Sequence, residues 1–274
     1  MAPWGIIDPK QGKTGVVRMD VRVLGCYGSH LPGYGTTSFL VDENILIDGG
    51  TITSVLSIEE QLKIETILLT HAHLDHLRDI MFLVDNIFYL KRPSPLVLVS
   101  TPRILNMVHE HLFNGEIWPD FFAIPSPEAP VLKMQPIMQG EALSIGSWCI
   151  KATPVHHTVE TVAYTLSVET ESVIFIGDTG PTEAIWAEAN SISHLRAVFI
   201  ETSLPNRLEN LARITGHLTP RMLAGELEKL ADHETGVYVF HVKLQHDEEI
   251  EMELRKLPGA ERIHVLRDGQ RILL

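Results

Sequence analysis

The sequence predicts a single α/β (α+β) domain over residues 1–274, in which mixed sheets lie between layers of helices in a four-layer αββα sandwich. Three observations predict this fold. Short apolar runs typical of β-strands recur along the chain. Helical patterns lie among them without the strict alternation of a parallel α/β fold. No repeat, low-complexity tract or linker divides the sequence.

The predicted strands are short runs of aliphatic and β-branched residues. They cover residues 21–24, 38–41, 45–47, 66–70, 96–99, 148–152, 162–168, 172–176, 197–200 and 237–240. The predicted helices cover about 53–63, 76–90, 102–113, 182–190, 219–232 and 247–257. Two of them begin with a Thr-Pro pair, Thr101-Pro102 and Thr219-Pro220, in which the threonine caps the helix and the proline occupies its first turn.

Composition and charge narrow the classes of partner. The net charge is −13, and the basic residues are thinly spread with no cluster beyond Lys91-Arg92, so long nucleic acids are poor candidates. No apolar run approaches the roughly 18 residues of a membrane span. Residues 1–20 show no secretory signal, which favours the cytoplasm. Cys26 and Cys149 lie far apart and are expected to be reduced, buried thiols.

The most informative motif combines three histidines and an aspartate, His71, His73, Asp75 and His76. It lies between a predicted strand and a predicted helix. In an extended segment, residues i and i+2 share a face, so His71 and His73 can bind one ion. As the chain coils into the helix, Asp75 and His76 turn toward a second ion nearby. The spacing therefore predicts one short loop that serves two metal ions.

Other acidic and imidazole groups are the first polar residues after apolar strands. They are Asp178, Glu201, His241 and the His156-His157 pair. Strands of one sheet end along a common edge, where loops converge and functional sites form. We therefore expect these side chains to meet the histidine motif at one edge of the sheets.

These segments resemble the ordered metal-binding motifs of the metallo-β-lactamase superfamily, over residues from about 20 to 245. The motifs are His71-Ala72-His73-Leu74-Asp75-His76, Pro154-Val155-His156-His157, Gly177-Asp178-Thr179-Gly180 and His241. Three further segments, residues 113–121, 201–206 and 216–220, resemble the class II cyclic-nucleotide phosphodiesterases. The resemblance implies the αββα fold of the metallo-β-lactamase type.

The resemblance also implies two divalent metal ions, with Zn, Mn and Fe all compatible with the nitrogen and oxygen ligands. His71, His73 and one of His156 and His157 would bind the first ion. Similarity to transfer-RNA 3′-processing endonucleases around Pro154 and Tyr164 favours His157, which leaves His156 as a supporting donor or an ordinary loop residue. The second ion would be bound by Asp75, His76 and His241, and both ions by Asp178.

The activity implied by this resemblance is hydrolysis of the 3′,5′-cyclic nucleotides cAMP and cGMP to 5′-monophosphates. Two ions about 3.5–4 Å apart hold and activate a bridging hydroxide, which attacks the phosphorus. Asp178, as the bridging ligand, is counted among the catalytic residues. His217, oriented by Glu201, is the candidate acid that protonates the leaving 3′-oxygen.

Substrate-binding residues are predicted in two segments. The aromatic segment at about 105–130, with Asn114 and Trp118, resembles a flap that stacks on a purine or forms a homodimer contact, although buried packing explains its spacing equally well. The glycine-rich stretch 25–38 contains Thr37 and Ser38, either of which could touch the phosphate if the stretch is not simply a turn. Asp48 is either a carboxylate behind a ligand histidine or a turn residue.

Three other functions compete with this interpretation. A transfer-RNA 3′-processing endonuclease would need a glycine-rich basic arm, and residues 77–155 contain none. Another small-phosphodiester or lactone or thiolester hydrolase is compatible with the metal ligands, although lactone or thiolester cleavage would not require Glu201 and His217 in their motifs. A non-catalytic binding module would not need every ligand position filled, as it is here.

Overall fold

Two mixed β-sheets stack face to face in the structure, a computed structural model that describes residues 6–7, 19–90 and 92–274. The first sheet contains β1 (Ile6–Ile7), β2 (Asp20–Gly25), β3 (Ser38–Val41), β4 (Ile45–Ile47), β5 (Thr66–Leu68), β6 (Leu96–Ser100), β7 (Leu132–Pro136) and β15 (Arg271–Leu273). The second contains β8 (Ala142–Ile145), β9 (Trp148–Val155), β10 (Thr161–Val168), β11 (Glu171–Phe175), β12 (Leu195–Glu201), β13 (Gly236–Phe240) and β14 (Ile263–Val265).

Seven α-helices are described, and they cover the two outer faces. Against the first sheet lie α1 (Ile58–Lys63), α2 (Leu74–Phe88) and α3 (Pro102–His111). Against the second lie α4 (Ala184–Ala189), α5 (Glu209–Thr215), α6 (Pro220–Leu227) and α7 (Asp247–Leu254). Both predicted Thr-Pro starts are confirmed, because the hydroxyls of Thr101 and Thr219 accept hydrogen bonds from the backbone N–H three residues later.

Three apolar cores hold the layers together. The central core lies between the sheets, where the Phe39 ring of the first sheet contacts Phe175, Phe199 and Phe240 of the second at centroid distances of 5.4, 5.6 and 5.3 Å. Each outer core joins one sheet to its helices. The observed order of helix, sheet, sheet and helix confirms the predicted four-layer sandwich.

Strand direction brings the functional loops to one edge. In the second sheet, β11, β12 and β13 are parallel, and β9 runs with them because β9 and β11 both pair antiparallel with β10. The loops after these four strands therefore share an edge. Thr70, just after β5 of the first sheet, accepts a hydrogen bond through its carbonyl from the Val162 N–H at this same edge (3.1 Å).

A buried tyrosine fixes the two sheets to each other beneath the histidine motif. The Tyr164 hydroxyl, on β10, donates to the carbonyl of Leu69 at 2.9 Å and lies 3.2 Å from that of Val99. Tyr164 is fully buried. The loop that begins at Thr70 is thus held at a set height above the second sheet.

The structure differs from the sequence prediction mainly at sheet edges. Strands β1, β7, β8 and β14 at the sheet edges were not predicted, nor were β15 and helix α5. Edge strands such as β7 and β8 have largely exposed side chains, so they lack the apolar run by which interior strands are recognised. Both described cysteines are free, as predicted, but Cys149 is exposed, because on β9 it alternates with the inward-facing Trp148 and Ile150.

The aromatic segment contains the end of α3 and the loop between α3 and β7. Phe113 and Phe121 are buried in the outer core of the first sheet, and Trp118 and Phe122 pack against that core. Packing therefore accounts for much of its aromatic character.

The expected cytoplasmic location and the Lys91-Arg92 cluster depend on residues that the structure does not describe. Residues 1–20, from which cytoplasmic location was inferred, fall mostly outside the described ranges, as does Lys91 of the Lys91-Arg92 pair. Within the described ranges, no helix has the length and apolar character needed to cross a bilayer.

Candidate metal centre

Loops from both sheets bring a compact group of imidazoles and carboxylates together at the common edge. The segment after β5 supplies His71, His73, Asp75 and His76, and the loops after β9, β11 and β13 supply His157, Asp178 and His241. His73 is also the N-cap of α2, so Asp75 and His76 lie in the first helical turn. The motif thus changes from extended to helical between its two halves, as predicted.

The first group consists of His71, His73 and His157, with Asp178 beside them. One ligand atom from each lies within 4.8 Å of the others. His73 Nδ1 is 3.0 Å from His71 Nε2 and 3.4 Å from His157 Nε2. Nitrogen atoms this close, converging on one carboxylate, form a cage of the kind that holds a transition-metal ion.

The second group consists of Asp75, His76 and His241, whose ligand atoms also lie within 4.8 Å of one another. His241 Nε2 is 3.1 Å from Asp75 Oδ2.

Asp178 lies between the two groups. Its Oδ1 is 3.3 Å from His76 Nε2, and its Oδ2 is 3.3 Å from His241 Nε2, 3.8 Å from His71 Nε2 and 4.0 Å from His157 Nε2. Its carboxylate is therefore positioned to be shared by ions in both groups.

Hydrogen bonds at the Nδ1 atoms orient four histidine rings so that Nε2 faces the centre. His157 Nδ1 donates to the Gly216 carbonyl at 2.8 Å, and His76 Nδ1 lies 2.7 Å from Asp48 Oδ2. His71 Nδ1 lies 3.0 Å from the Thr70 hydroxyl, which itself donates to Asp48. Because acceptors face these Nδ1 atoms, Nε2 keeps its lone pair for the centre.

The fourth ring, His241, is held through a serine. Its Nδ1 is 2.8 Å from Ser203 Oγ, and that hydroxyl donates to Glu201 Oε2 at 2.9 Å. The serine oxygen is therefore the acceptor for the His241 Nδ1–H. The sequence predicted no role for Ser203; its spacing of two residues from Glu201 was the available signal.

Burial and nearby charge shift the histidine pKa values of the two groups in different directions. Burial lowers the pKa of His71 well below its usual range, and it also lowers the pKa values of His73 and His157. Burial also acts to lower the pKa of His76, but the carboxylates of Asp178 and Asp48 outweigh it and raise that pKa well above its usual range. The first group therefore favours neutral imidazoles, whereas the carboxylates of Asp178 and Asp48 concentrate negative charge around His76.

The residues fit a pair of divalent cations. All seven are nitrogen or oxygen donors of the types that Zn, Mn and Fe accept. Within the described part of the chain, His76 Nε2 and Asp178 Oδ1 are buried and make no hydrogen bond. Buried polar atoms without a partner are costly, and a cation between them would satisfy both.

Two backbone positions support the centre at some conformational cost. His241 has φ = +64° and Asp48 has φ = +58°, in the left-handed region that most residues avoid. Such conformations cost about 1–3 kcal/mol each and persist where surrounding contacts impose them. The left-handed conformation of Asp48 is imposed by its hydrogen bonds with Thr70, whose backbone N–H donates to Asp48 Oδ1 at 2.8 Å. The structure thus places Asp48 behind a predicted ligand histidine.

A second carboxylate–histidine pair lies beside the cluster. His217 Nδ1 is 2.6 Å from Glu201 Oε1, and Glu201 is completely buried at the end of β12. His217 could also be grouped with Asp178 and His241, since ligand atoms of all three lie within 4.8 Å of one another. Glu201 thus positions His217 directly and His241 through Ser203.

The remaining predicted residues are placed less centrally. His156 is exposed, and the structure brings His157 into the cluster instead. Asn114 Oδ1 accepts from the N–H groups of Glu116 and Ile117 in its own loop. The Trp118 ring contacts Phe82 on α2 at a centroid distance of 5.4 Å. Neither has a described hydrogen bond or ring contact to the cluster, and their role in substrate binding stays a prediction.

Thr37 and Ser38 are both buried at the start of β3. The Ser38 hydroxyl donates to the Asp48 carbonyl at 3.1 Å, so it supports the turn that holds Asp48. The Thr37 hydroxyl has no hydrogen-bond partner among the described residues. Of these two hydroxyls, that of Thr37 is the one free to donate a hydrogen bond.

A family model for class-II cAMP phosphodiesterases matches residues 51–250 of the chain. The chain is similar to 3′,5′-cyclic-nucleotide phosphodiesterase 1 of Saccharomyces cerevisiae, with 26% identity over 184 residues, 59% of this chain and 49% of the yeast protein. It is also similar to cAMP/cGMP-dependent 3′,5′-cAMP/cGMP phosphodiesterase A of Dictyostelium discoideum, with 26% identity over 161 residues, 48% of this chain and 35% of that protein. The matched segments thus span about half or less of these relatives.

Solved structures show the fold. Unliganded yeast PDE1 superposes with a TM-score of 0.81 and 21% identity, over 94% of this chain and 100% of that one. The metallo-β-lactamase fold protein YhfI from Bacillus subtilis superposes with a TM-score of 0.74 and 14% identity, over 94% and 99%. Human tRNase Z, short form, superposes with a TM-score of 0.68 and 14% identity, over 92% and 98%. The predicted metallo-β-lactamase fold is confirmed.

The adjacent histidines provide a matched test of the first group. His157→Ala removes a cluster nitrogen and should lower bound metal by at least one ion per chain, measured by elemental analysis after loading with Zn or Mn. His156→Ala removes an exposed ring and should leave metal content unchanged. Equal metal content in the two variants would contradict the assignment of His157.

Proposed function

The chain belongs to the class-II cAMP phosphodiesterases, and we propose that it is a dinuclear metal-dependent hydrolase that converts the 3′,5′-cyclic nucleotides cAMP and cGMP to 5′-monophosphates. One observation supports this most strongly. The Glu201–His217 pair, with its atoms 2.6 Å apart, lies directly beside a cluster of seven potential metal ligands. A metal centre with an adjacent proton donor is what hydrolysis of a phosphodiester with an alkoxide leaving group requires.

His71, His73 and His157 would hold one ion, Asp75, His76 and His241 the other, and Asp178 both. When bound, two divalent cations supply a nucleophile at neutral pH and neutralise charge on the phosphoryl oxygens. The contribution of the chain is to hold its ligands in place. Asp48, Thr70, Ser203 and the Gly216 carbonyl fix the ring orientations before substrate arrives.

The proton for the leaving group would come from His217. Burial acts to lower its pKa, but the Glu201 carboxylate outweighs burial and raises that pKa above its usual value. The ring therefore stays protonated to a higher pH than a free imidazole does. With Nδ1 bound to Glu201, Nε2–H is the atom free to donate to the departing ribose 3′-oxygen. The His217 ring lies 5.2 Å from that of His157 and 5.3 Å from that of His241, so it flanks both groups.

Lys243 is a candidate anchor for the phosphate. It lies two residues after His241, and its charge acts to lower the pKa of His217, which places the two groups within electrostatic reach. Its ammonium donates to the Gly28 carbonyl, and among the described residues it forms no ion pair with a carboxylate. In a chain of net charge −13, a partly buried cation beside the centre without an acidic partner suits an anionic substrate. Thr37, with its free buried hydroxyl, is the proposed second contact.

The substrate class is tested by comparing kcat/KM for cAMP, cGMP, 2′,3′-cyclic AMP and bis(p-nitrophenyl) phosphate, using protein loaded with Mn or Zn. We expect the 3′,5′-cyclic nucleotides to be hydrolysed with the highest kcat/KM, because the proposed acid assists a poor leaving group. Turnover of the chromogenic diester alone would refute the cyclic-nucleotide assignment and leave a general phosphodiesterase.

The role of His217 is tested by His217→Gln, which keeps a donor toward Glu201. We expect kcat for cAMP to fall by roughly 10²–10⁴, the usual contribution of a positioned acid, with unchanged metal content. The loss should be much smaller with bis(p-nitrophenyl) phosphate, because nitrophenolate leaves without a proton. Equal losses on both substrates would show that His217 is not the acid.

The role of Lys243 is tested by Lys243→Met. Loss of a charged hydrogen bond, worth about 1.5–3 kcal/mol, should raise KM for cAMP and the inhibition constant of AMP by roughly 10- to 100-fold at unchanged metal content. Lys243→Arg should retain most of the affinity. Lys256→Met, at an exposed position just after α7, serves as the matched control. Unchanged inhibition by AMP in Lys243→Met would exclude the phosphate contact.

A further inference from the structure

Asp268 connects the C-terminal part of the chain to the metal centre. It lies in the turn between β14 and β15, beyond the residues matched by the family model. We propose that Asp268 is a positioning residue for His241, and through it for the second group of ligands, Asp75, His76 and His241. This inference rests on the proposed metal-dependent function, because it concerns how firmly one of the two ions is held.

Both carboxylate oxygens of Asp268 accept backbone hydrogen bonds. Oδ1 accepts from the Cys26 N–H at 3.0 Å and from its thiol at 3.3 Å, and Oδ2 accepts from the Gly35 N–H at 2.6 Å. Cys26 directly follows β2, and Gly35 lies shortly before β3. One side chain therefore joins its own turn to Cys26 and Gly35, which lie 242 and 233 residues earlier in the sequence.

Cys26 in turn holds His241. Its carbonyl accepts a hydrogen bond from the His241 N–H at 2.6 Å. The contacts continue along the chain, with Tyr27 N–H donating to the Gly35 carbonyl at 3.0 Å and Gly28 N–H to the Val242 carbonyl at 3.2 Å. Residues 26–28 thus form a strip between the Gly35 segment and the loop of His241, and Asp268 fixes the start of this strip on both sides.

The strip also sets the position of the His241 ring. A Cβ atom built on Gly28 would lie 2.7 Å from His241 Nδ1 and Cε1, so the glycine backbone rests directly against the imidazole. The backbone of His241 is held at φ = +64°, which a non-glycine residue keeps only under outside restraint. Loosening the strip would let His241 relax, and its Nε2 would move away from Asp75 and Asp178.

A carboxylate is needed at position 268 because N–H donors face both oxygens. An asparagine side chain would have nearly the same shape, but one backbone N–H would then face an amide NH₂. Asp268→Asn therefore breaks one connection while keeping the volume. Asp232→Asn is the matched control, since Asp232 also accepts a backbone N–H, from Glu234 at 2.9 Å, but near the opposite end of β13 from His241.

The experiment compares the two variants with the native protein by titrating metal-depleted samples with Zn or Mn, using calorimetry for affinity and native mass spectrometry for stoichiometry. We expect Asp268→Asn to weaken the binding of one of the two ions by roughly 10- to 100-fold, as loss of a supporting hydrogen bond behind a ligand does. The affinity for the other ion should be unchanged. Asp232→Asn should bind both ions normally. Thermal unfolding without metal measures the general loss of stability separately.

Wild-type affinity for both ions in Asp268→Asn, or an equal loss at both sites, would overturn the proposal. If Asp268→Asn does not fold, Gly269→Ala replaces it. That residue has φ = +80°, so alanine displaces the turn while the carboxylate is kept, and the same single-site loss is expected on a smaller scale. Native protein that binds two ions but hydrolyses no cyclic nucleotide would refute the proposed function while leaving the positioning role of Asp268 intact.

Discussion

The site depends on the contacts made by one group, the carboxylate of Asp178. It is 1% exposed, and four imidazole nitrogens lie 3.3–4.0 Å from its two oxygens. A buried carboxylate is stable only where positive charge or strong donors surround it. Burial acts to raise its pKa, but His241 and His76 outweigh burial and hold that pKa well below the usual range. The strands that end at this edge are arranged so that their loops meet around this one acid.

Two further buried acids act from behind the imidazoles. Asp48 serves the first sheet, where it orients His76 and, through Thr70, His71; Glu201 serves the second, where it orients His217 and, through Ser203, His241. Each sheet thus supplies its own supporting carboxylate at the end of a strand. Rigid support of this kind holds these side chains in fixed orientations without reorganisation.

Sequence analysis predicts the parts of this arrangement that lie in local patterns. The alternation in the histidine motif, the polar residue after each apolar strand and the Thr-Pro helix starts are all local, and the interior strands are recognised by their apolar runs. The contacts of Ser203 with His241 and of Asp268 with Cys26 were not predicted, because they join residues 38 and 242 positions apart that only tertiary structure brings together. The edge strands β7 and β8 were missed because their largely exposed side chains lack the apolar run of an interior strand.

The contact between His157 and Gly216 links two histidines of the site mechanically. The Gly216 carbonyl holds His157 Nδ1 at 2.8 Å, and the residue after Gly216 is His217. Gly216 ends α5 in the left-handed conformation, φ = +68°, so the link is a short, stiff corner rather than a flexible loop. Displacement of the His157 ring is therefore transmitted through a single peptide unit to the neighbouring imidazole. The proposed metal ligand His157 and the proposed proton donor His217 are in this way coupled through the backbone itself.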